Sequence, residues 1–188
     1  MKNYGEFSEF ECRKIAIKFE KENTYTEAGA VGSVEETMDS KTVTKKYMGV
    51  VAKTRTKGTG AGEIKLSMHM NYNMYKKTYG MELASLEDGV FAYGSGSVHP
   101  QFAMACEVVD EDDNIKYKAY PCCIVKDGLS RKVENGGEEV AEIELTVAVM
   151  PDEYGNGMYE ALADGLGSEI KQKWMTEFTP DLVKKKEL

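Results

Sequence analysis

The chain has 188 residues, 41% hydrophobic and 30% charged, with 24 basic against 32 acidic side chains and a net charge of −8. A chain of this length can bury roughly 70% of its unfolded surface, and the balance of apolar and charged residues excludes wholesale disorder. The negative charge disfavours counterion-releasing binding to a nucleic-acid backbone. No run approaches the roughly 18 apolar residues of a membrane span, the opening MKNYGEFSEFECRK has no apolar h-region, and there is no N-x-S/T sequon.

Ile15, Ile17 and Phe19 alternate with Lys14, Ala16 and Lys18, which predicts a half-buried strand. Residues 22–40, rich in Thr, Gly, Ser, Glu and Ala, read as an irregular connection. Thr42 to Lys57 is high in Val, Thr and Tyr and reads as strand. Gly58, Gly60 and Gly62 follow, and then Ile64, Leu66, Met68 and Met70 alternate with Glu63, Lys65, Ser67 and His69. This predicts a β-hairpin over 42–70 with its turn at the glycines. A phosphate-binding loop is disfavoured there, because a strand follows the glycines instead of a helix and no Gly-Lys-Ser/Thr ends the run.

Residues 71–81 predict a short helix, with Asn71 or Asn73 as N-cap, Tyr and Met on its packed face, and Gly80 as its stop. Strands are expected at 89–93, 102–109, 115–125 and 140–150. In the last, Ala141, Ile143, Leu145, Val147 and Val149 share one face, while Glu139, Glu142, Glu144, Thr146 and Ala148 frame the other. Asp110-Glu111-Asp112-Asp113-Asn114 lacks the Gly and Glu of a calcium loop and reads as a hairpin turn. Asn135-Gly136-Gly137 reads as another.

The cysteines, Cys12, Cys106, Cys122 and Cys123, have neither zinc-ligand spacing nor the pattern of a disulfide framework, and are expected as free thiols. His69 and His99 have no nucleophile-and-base context, and no G-x-S-x-G elbow occurs. Paired carboxylates are too numerous for a hydrolase to be excluded by counting, but no catalytic constellation stands out. At the C-terminus Leu162, Leu166, Ile170 and Trp174 are spaced four apart. Two alternatives stand: an amphipathic helix on the chain's own sheet, weakened by Gly165 and Gly167, or an extended arm. Trp174 is the single Trp of the chain, and Trp is a common interface anchor.

Taken in order, GSVEETMDSKTVTKKYMG (32–49), NMYKKTYGM (73–81), DEDDNIKYKAYPCCIV (110–125) and EEVAEIELTVAVMPDEYGNGMYEA (138–161) resemble the phi13-type major tail protein family of siphophages. The resemblance covers about residues 30–165. It implies a mainly β (α+β) chain: a β-sandwich or barrel core over 1–160 with a long hairpin loop at about 33–62 reaching the next ring, one short flanking helix, and extended terminal arms that contact neighbouring subunits, with 161–188 as a C-terminal arm or helix. It further implies stacked, hexameric rings forming a DNA-conducting tube. The partners would be a tape measure, a tail terminator and baseplate proteins, and the place would be a virion tail assembled in the host bacterial cytoplasm. No catalytic residue, metal or cofactor is implied.

Under this reading DNA passes through the lumen without specific binding, and Glu63, Glu107, Glu142 and Glu144 are candidate lumen-facing carboxylates. Tyr47, Tyr154, Tyr159, Trp174, Met175 and Phe178 are candidate inter-subunit residues. Ring closure would pair strand edges that are a liability in a monomer, through interfaces of about 2,000–5,000 Å². The alternatives are a tube of a related contractile or secretion machine and a β-sandwich carbohydrate- or peptide-binding module.

Overall fold

A computed structural model describes residues 5–133, 135, 136 and 140–185. The chain is mainly β. Its strands run β1 (Glu11–Phe19), β2 (Thr26–Glu27), β3 (Gly29–Tyr47), β4 (Val50–Met70), β5 (Phe102–Val109), β6 (Ile115–Val125), β7 (Ile143–Met150) and β8 (Tyr159–Leu162), with helices α1 (Tyr72–Thr78) and α2 (Ser168–Glu177).

All described pairings are antiparallel, in the order β2-β1-β5-β6-β7-β4-β3. The first and last strands of that order are consecutive in the chain. β2 pairs with β1, Ala28 donates its N–H to the Ile15 carbonyl at 2.8 Å, and β3 begins one residue later against β4. One length of chain therefore joins both edges, and the sheet closes as a barrel rather than splitting into two sheets. β6 serves two neighbours on one side: residues 116–119 pair with β8 and residues 122–125 with β7.

The barrel interior collects the alternating apolar positions. Ile15, Ile17, Ile64, Leu66, Met68, Met104, Leu145, Val147 and Val149 are all buried there. α1 packs Met74 and Tyr75 onto this cluster, followed by Tyr79. Its start is capped as the sequence suggests: Asn71 Oδ1 accepts from the Asn73 N–H at 3.0 Å. A second cluster lies outside. α2 presses Trp174, with Phe178 just beyond it, onto Ala16, Ala103, Ala105 and Ala119, whose small side chains let the helix approach.

Several expectations are corrected. Residues 22–40 are mostly strand, because β3 runs unbroken from Gly29; Val31, Val34, Glu36 and Met38 are its half-buried inward positions, and from Asp39 onward both faces are exposed. The hairpin turn lies at Met48-Gly49, not at residues 58–62. Gly58, Gly60 and Gly62 sit inside β4, where the pairing slips between Met38↔Gly62 and Ser40↔Gly58. Glycines there serve a bulge, a use that composition cannot distinguish from a turn. Residues 89–93 form no strand. β7 starts at Ile143, with Val140 81% exposed before it. Glu139 and Gly137 lie outside the described residues. Asp110 closes its turn as expected, accepting from the Asp112 and Asn114 N–H groups at 3.0 and 2.8 Å.

Candidate functional site

The feature with the least support inside the chain is the distal half of the β3–β4 hairpin. β7 pairs with β4 only over Gly62–Met68. Beyond that point β3 and β4 pair with each other alone, from Ser40↔Gly58 to Tyr47↔Val50. Every residue from 39 to 59 is exposed. At about 3.4 Å per residue the ribbon projects roughly 25–30 Å. Its tip is a two-residue turn in which Met48 and Gly49 both have positive φ, 50° and 79°, the pattern of a type I′ turn. Around it Val43, Tyr47, Met48, Val50 and Val51 are between 55% and 88% exposed. A lone two-stranded ribbon is marginal in water, and clustered exposed apolar side chains mark a contact surface.

The root of the ribbon is gripped by the segment between β7 and β8. Asp152 accepts from the N–H groups of Tyr154 and Asn156, each at 2.9 Å, and from the Tyr159 hydroxyl at 2.6 Å. This folds residues 152–157 into a tight loop that lies on the β4 bulge. Gly60 has φ +77°, and a Cβ on Gly157 would stand 1.9 Å from the Gly60 carbonyl oxygen. The acidic-aromatic stretch DEYGNGMYEA thus holds the base of the projecting hairpin.

Three of the four predicted carboxylates come together. Register places Glu63 of β4 and Glu144 of β7 on the outer wall of β3, β4 and β7, with Glu35 of β3 opposite Lys65. Glu142 joins them, accepting from the Ser67 hydroxyl. Glu63 pairs with Lys126 and Glu35 with Lys65. Glu144 has no ion pair among the described residues. A shallow groove here is lined by Glu35, Lys65, Asp127, Glu144 and Thr146, among others. Glu107 stands apart, opposite Tyr117 on the wall that α2 covers. The four therefore do not form one surface.

The aromatic candidates divide in the same way. Trp174 and Phe178 are each 1% exposed. The Trp174 indole stacks on Tyr117 at 6.0 Å and donates to the Lys118 carbonyl at 3.3 Å. Both residues are spent on the chain's own barrel, as is much of Met175 beside them. Tyr159 packs on Phe178 at 5.6 Å. Tyr154 is 42% exposed and donates to Asp181 at 3.0 Å. Tyr47 alone of the six stands free at the ribbon tip, 67% exposed.

The sequence reading missed a polar network on the inward side of β6. Lys118, whose side chain is 11% exposed, meets Glu9 at 2.8 Å and Glu36 at 2.9 Å. The Tyr120 hydroxyl donates to Glu36 at 2.8 Å. The network fills the seam where β1 and β3 diverge, beside Cys12 and Val34. Burial pulls the Lys118 ammonium down, but its hydrogen bonds to Glu9 and Glu36 outweigh that and hold it above its ordinary value. The signal was available: Glu36 is in phase with Val34 and Met38 once residues 29–47 are read as a strand.

Among the described residues no group of three His, Cys, Asp or Glu could hold a metal. All four cysteines are free thiols. His99 is held between the Val125 carbonyl at 2.7 Å and the Tyr93 hydroxyl at 3.2 Å. The exposed Tyr47, Tyr72, Tyr93 and Tyr154 sit on four separate segments, with no ring contact joining them among the described residues. Among the described residues no helix is long and apolar enough to cross a membrane.

No protein-family model matches the chain, and no curated protein matches it. Among solved structures it is similar to the cap that terminates the tube of the anti-feeding prophage, seen by cryo-electron microscopy. The TM-score is 0.47 at 9% identity, over 86% of this chain and 96% of that one.

Proposed function

We propose that this chain is the structural subunit of a phage-type tail tube, assembling with copies of itself into stacked, hexameric rings. One observation carries the reading: the ribbon of residues 39–59 leaves the barrel as two unsupported, wholly exposed strands with an apolar tip. Folding such a ribbon alone gains little. Contact with a neighbouring subunit supplies the missing partner and covers the tip. The ordered resemblance of residues 32–49, 73–81, 110–125 and 138–161 to siphophage major tail proteins supports the same conclusion. Two of those segments, the ribbon and the 152–157 loop, form a single unit here. The tube would conduct DNA and meet a tape measure, a tail terminator and baseplate proteins in a virion tail.

Negative-stain electron microscopy of the purified chain over a range of concentration tests this. Rings or hollow tubes are expected. A monodisperse monomer at every concentration overturns the proposal.

A further inference from the structure

The ribbon is unlike the rest of the chain in charge. Residues 40–59 contain Lys41, Lys45, Lys46, Lys53, Arg55 and Lys57 and no acidic residue. The remaining residues carry 18 basic and 32 acidic side chains, a net −14 out of the total of −8. The strand register then sorts these cations by face. Directly opposed residues in an antiparallel pair share a face, and the face alternates along the strand. Lys41 lies opposite Lys57, Val43 opposite Arg55, and Lys45 opposite Lys53. The other face carries Thr42 opposite Thr56 and Thr44 opposite Thr54, with the first pair of hydroxyls 2.9 Å apart. One face is a hydroxyl face. The other is cationic, with like charges directly across from one another.

Such pairs are destabilising in an isolated ribbon. None of the six cations has an ion-pair partner among the described residues. The arrangement calls for an anionic surface that this copy of the chain does not bring to the ribbon. The outer wall of β3, β4 and β7 offers one, with Glu35, Glu63, Asp127, Glu142 and Glu144 against Lys65 and Lys126.

We propose that the cationic face of the ribbon docks on this carboxylate wall of a second copy of the chain. The contact is heterologous, one ribbon to one wall, so each copy offers one of each and the interaction propagates from copy to copy. Complementary charge selects the partner and sets the register. The inference rests on the tube-subunit reading and deepens it by naming the two surfaces that meet.

The test uses two full-length variants. In the first, Lys41→Glu, Lys45→Glu, Lys53→Glu, Arg55→Glu and Lys57→Glu reverse the cationic face of the ribbon. In the second, Glu35→Lys, Asp127→Lys and Glu144→Lys reverse the wall. Association is followed by sedimentation velocity, with circular dichroism confirming the fold. Each variant alone is expected to need at least tenfold more protein to associate, because both its surfaces then carry one sign. The equimolar mixture is expected to regain association near the wild-type concentration, since each ribbon then faces a wall of opposite sign.

Either variant associating alone as the wild type does overturns the proposal, as does a mixture that stays monomeric. So does wild-type binding to a 30-base-pair DNA duplex that is lost in the ribbon variant while association is kept, because the ribbon's partner is then nucleic acid. The two readings fail separately. If the wild type and the mixture form short oligomers but never rings or tubes, the docking stands and the tube falls. If all the chains form tubes, the tube stands and the docking falls.

Discussion

Replacing Trp174 with Ala separates an internal anchor from an interface anchor. Trp174 is 1% exposed, ring to ring with Phe178 at 4.7 Å, and hydrogen-bonded to the Lys118 carbonyl. Truncating a buried Trp costs about 3–5 kcal/mol, and the abandoned carbonyl adds about 1 kcal/mol unless water reaches it. A loss near 4 kcal/mol is a large part of the roughly 5–15 kcal/mol that holds a domain together. With a urea m-value of about 2.5 kcal/mol/M the unfolding midpoint should fall by roughly 1.5 M. The measurement is urea unfolding by far-ultraviolet circular dichroism, at protein concentrations low enough to keep the chain monomeric. Trp174→Phe should cost about 1–2 kcal/mol, keeping most of the packing but not the hydrogen bond. If Trp174→Ala leaves monomer stability within about 1 kcal/mol and abolishes association instead, the residue faces a neighbour and does not anchor α2 on its own barrel.

Gly157→Ala should loosen the ribbon root, because the new Cβ would meet the Gly60 carbonyl at 1.9 Å; a cost of about 1–3 kcal/mol is expected, and an unchanged melting curve would count against the close contact. Met48→Asn should suit the left-handed turn and steady the ribbon by about 1 kcal/mol, slowing amide exchange at Lys45 and Lys53 about fivefold; equal exchange in both chains would refute the turn assignment. Burial pushes Glu9 upward, but hydrogen bonds from Lys118 and Lys116 outweigh it and hold the carboxyl below its ordinary value. The unfolded chain thus takes up that proton more readily than the folded one, so Glu9 contributes its full share above the ordinary Glu value of about 4.3 and loses it as pH falls through the lower folded value. Glu9→Gln should therefore flatten the acid limb of the stability curve, and an identical acid limb would show that the seam network does not hold Glu9.

Where the sequence patterns one face against another, the fold could be read directly. Ile15, Ile17 and Phe19 in β1, and Leu145, Val147 and Val149 in β7, alternate because one side of each strand is core, and α1 carried its own cap and stop. Residues 29–59 were harder for the same physical reason in reverse. With water on both faces over most of its length, the hairpin has no apolar period to reveal it, and its bulge glycines looked like its turn. The C-terminal helix was legible only as an alternative, since whether Trp174 meets its own barrel or a neighbour depends on Ala16, Ala103, Ala105 and Ala119 arriving beneath it from three different strands. The sequence by itself determined a mainly β chain with free thiols, a short capped helix and an acidic excess. Tertiary structure alone decided that the sheet closes, that α2 is anchored internally, and that five ribbon cations share one face. Each of these depends on pairing between distant segments, which local pattern does not encode.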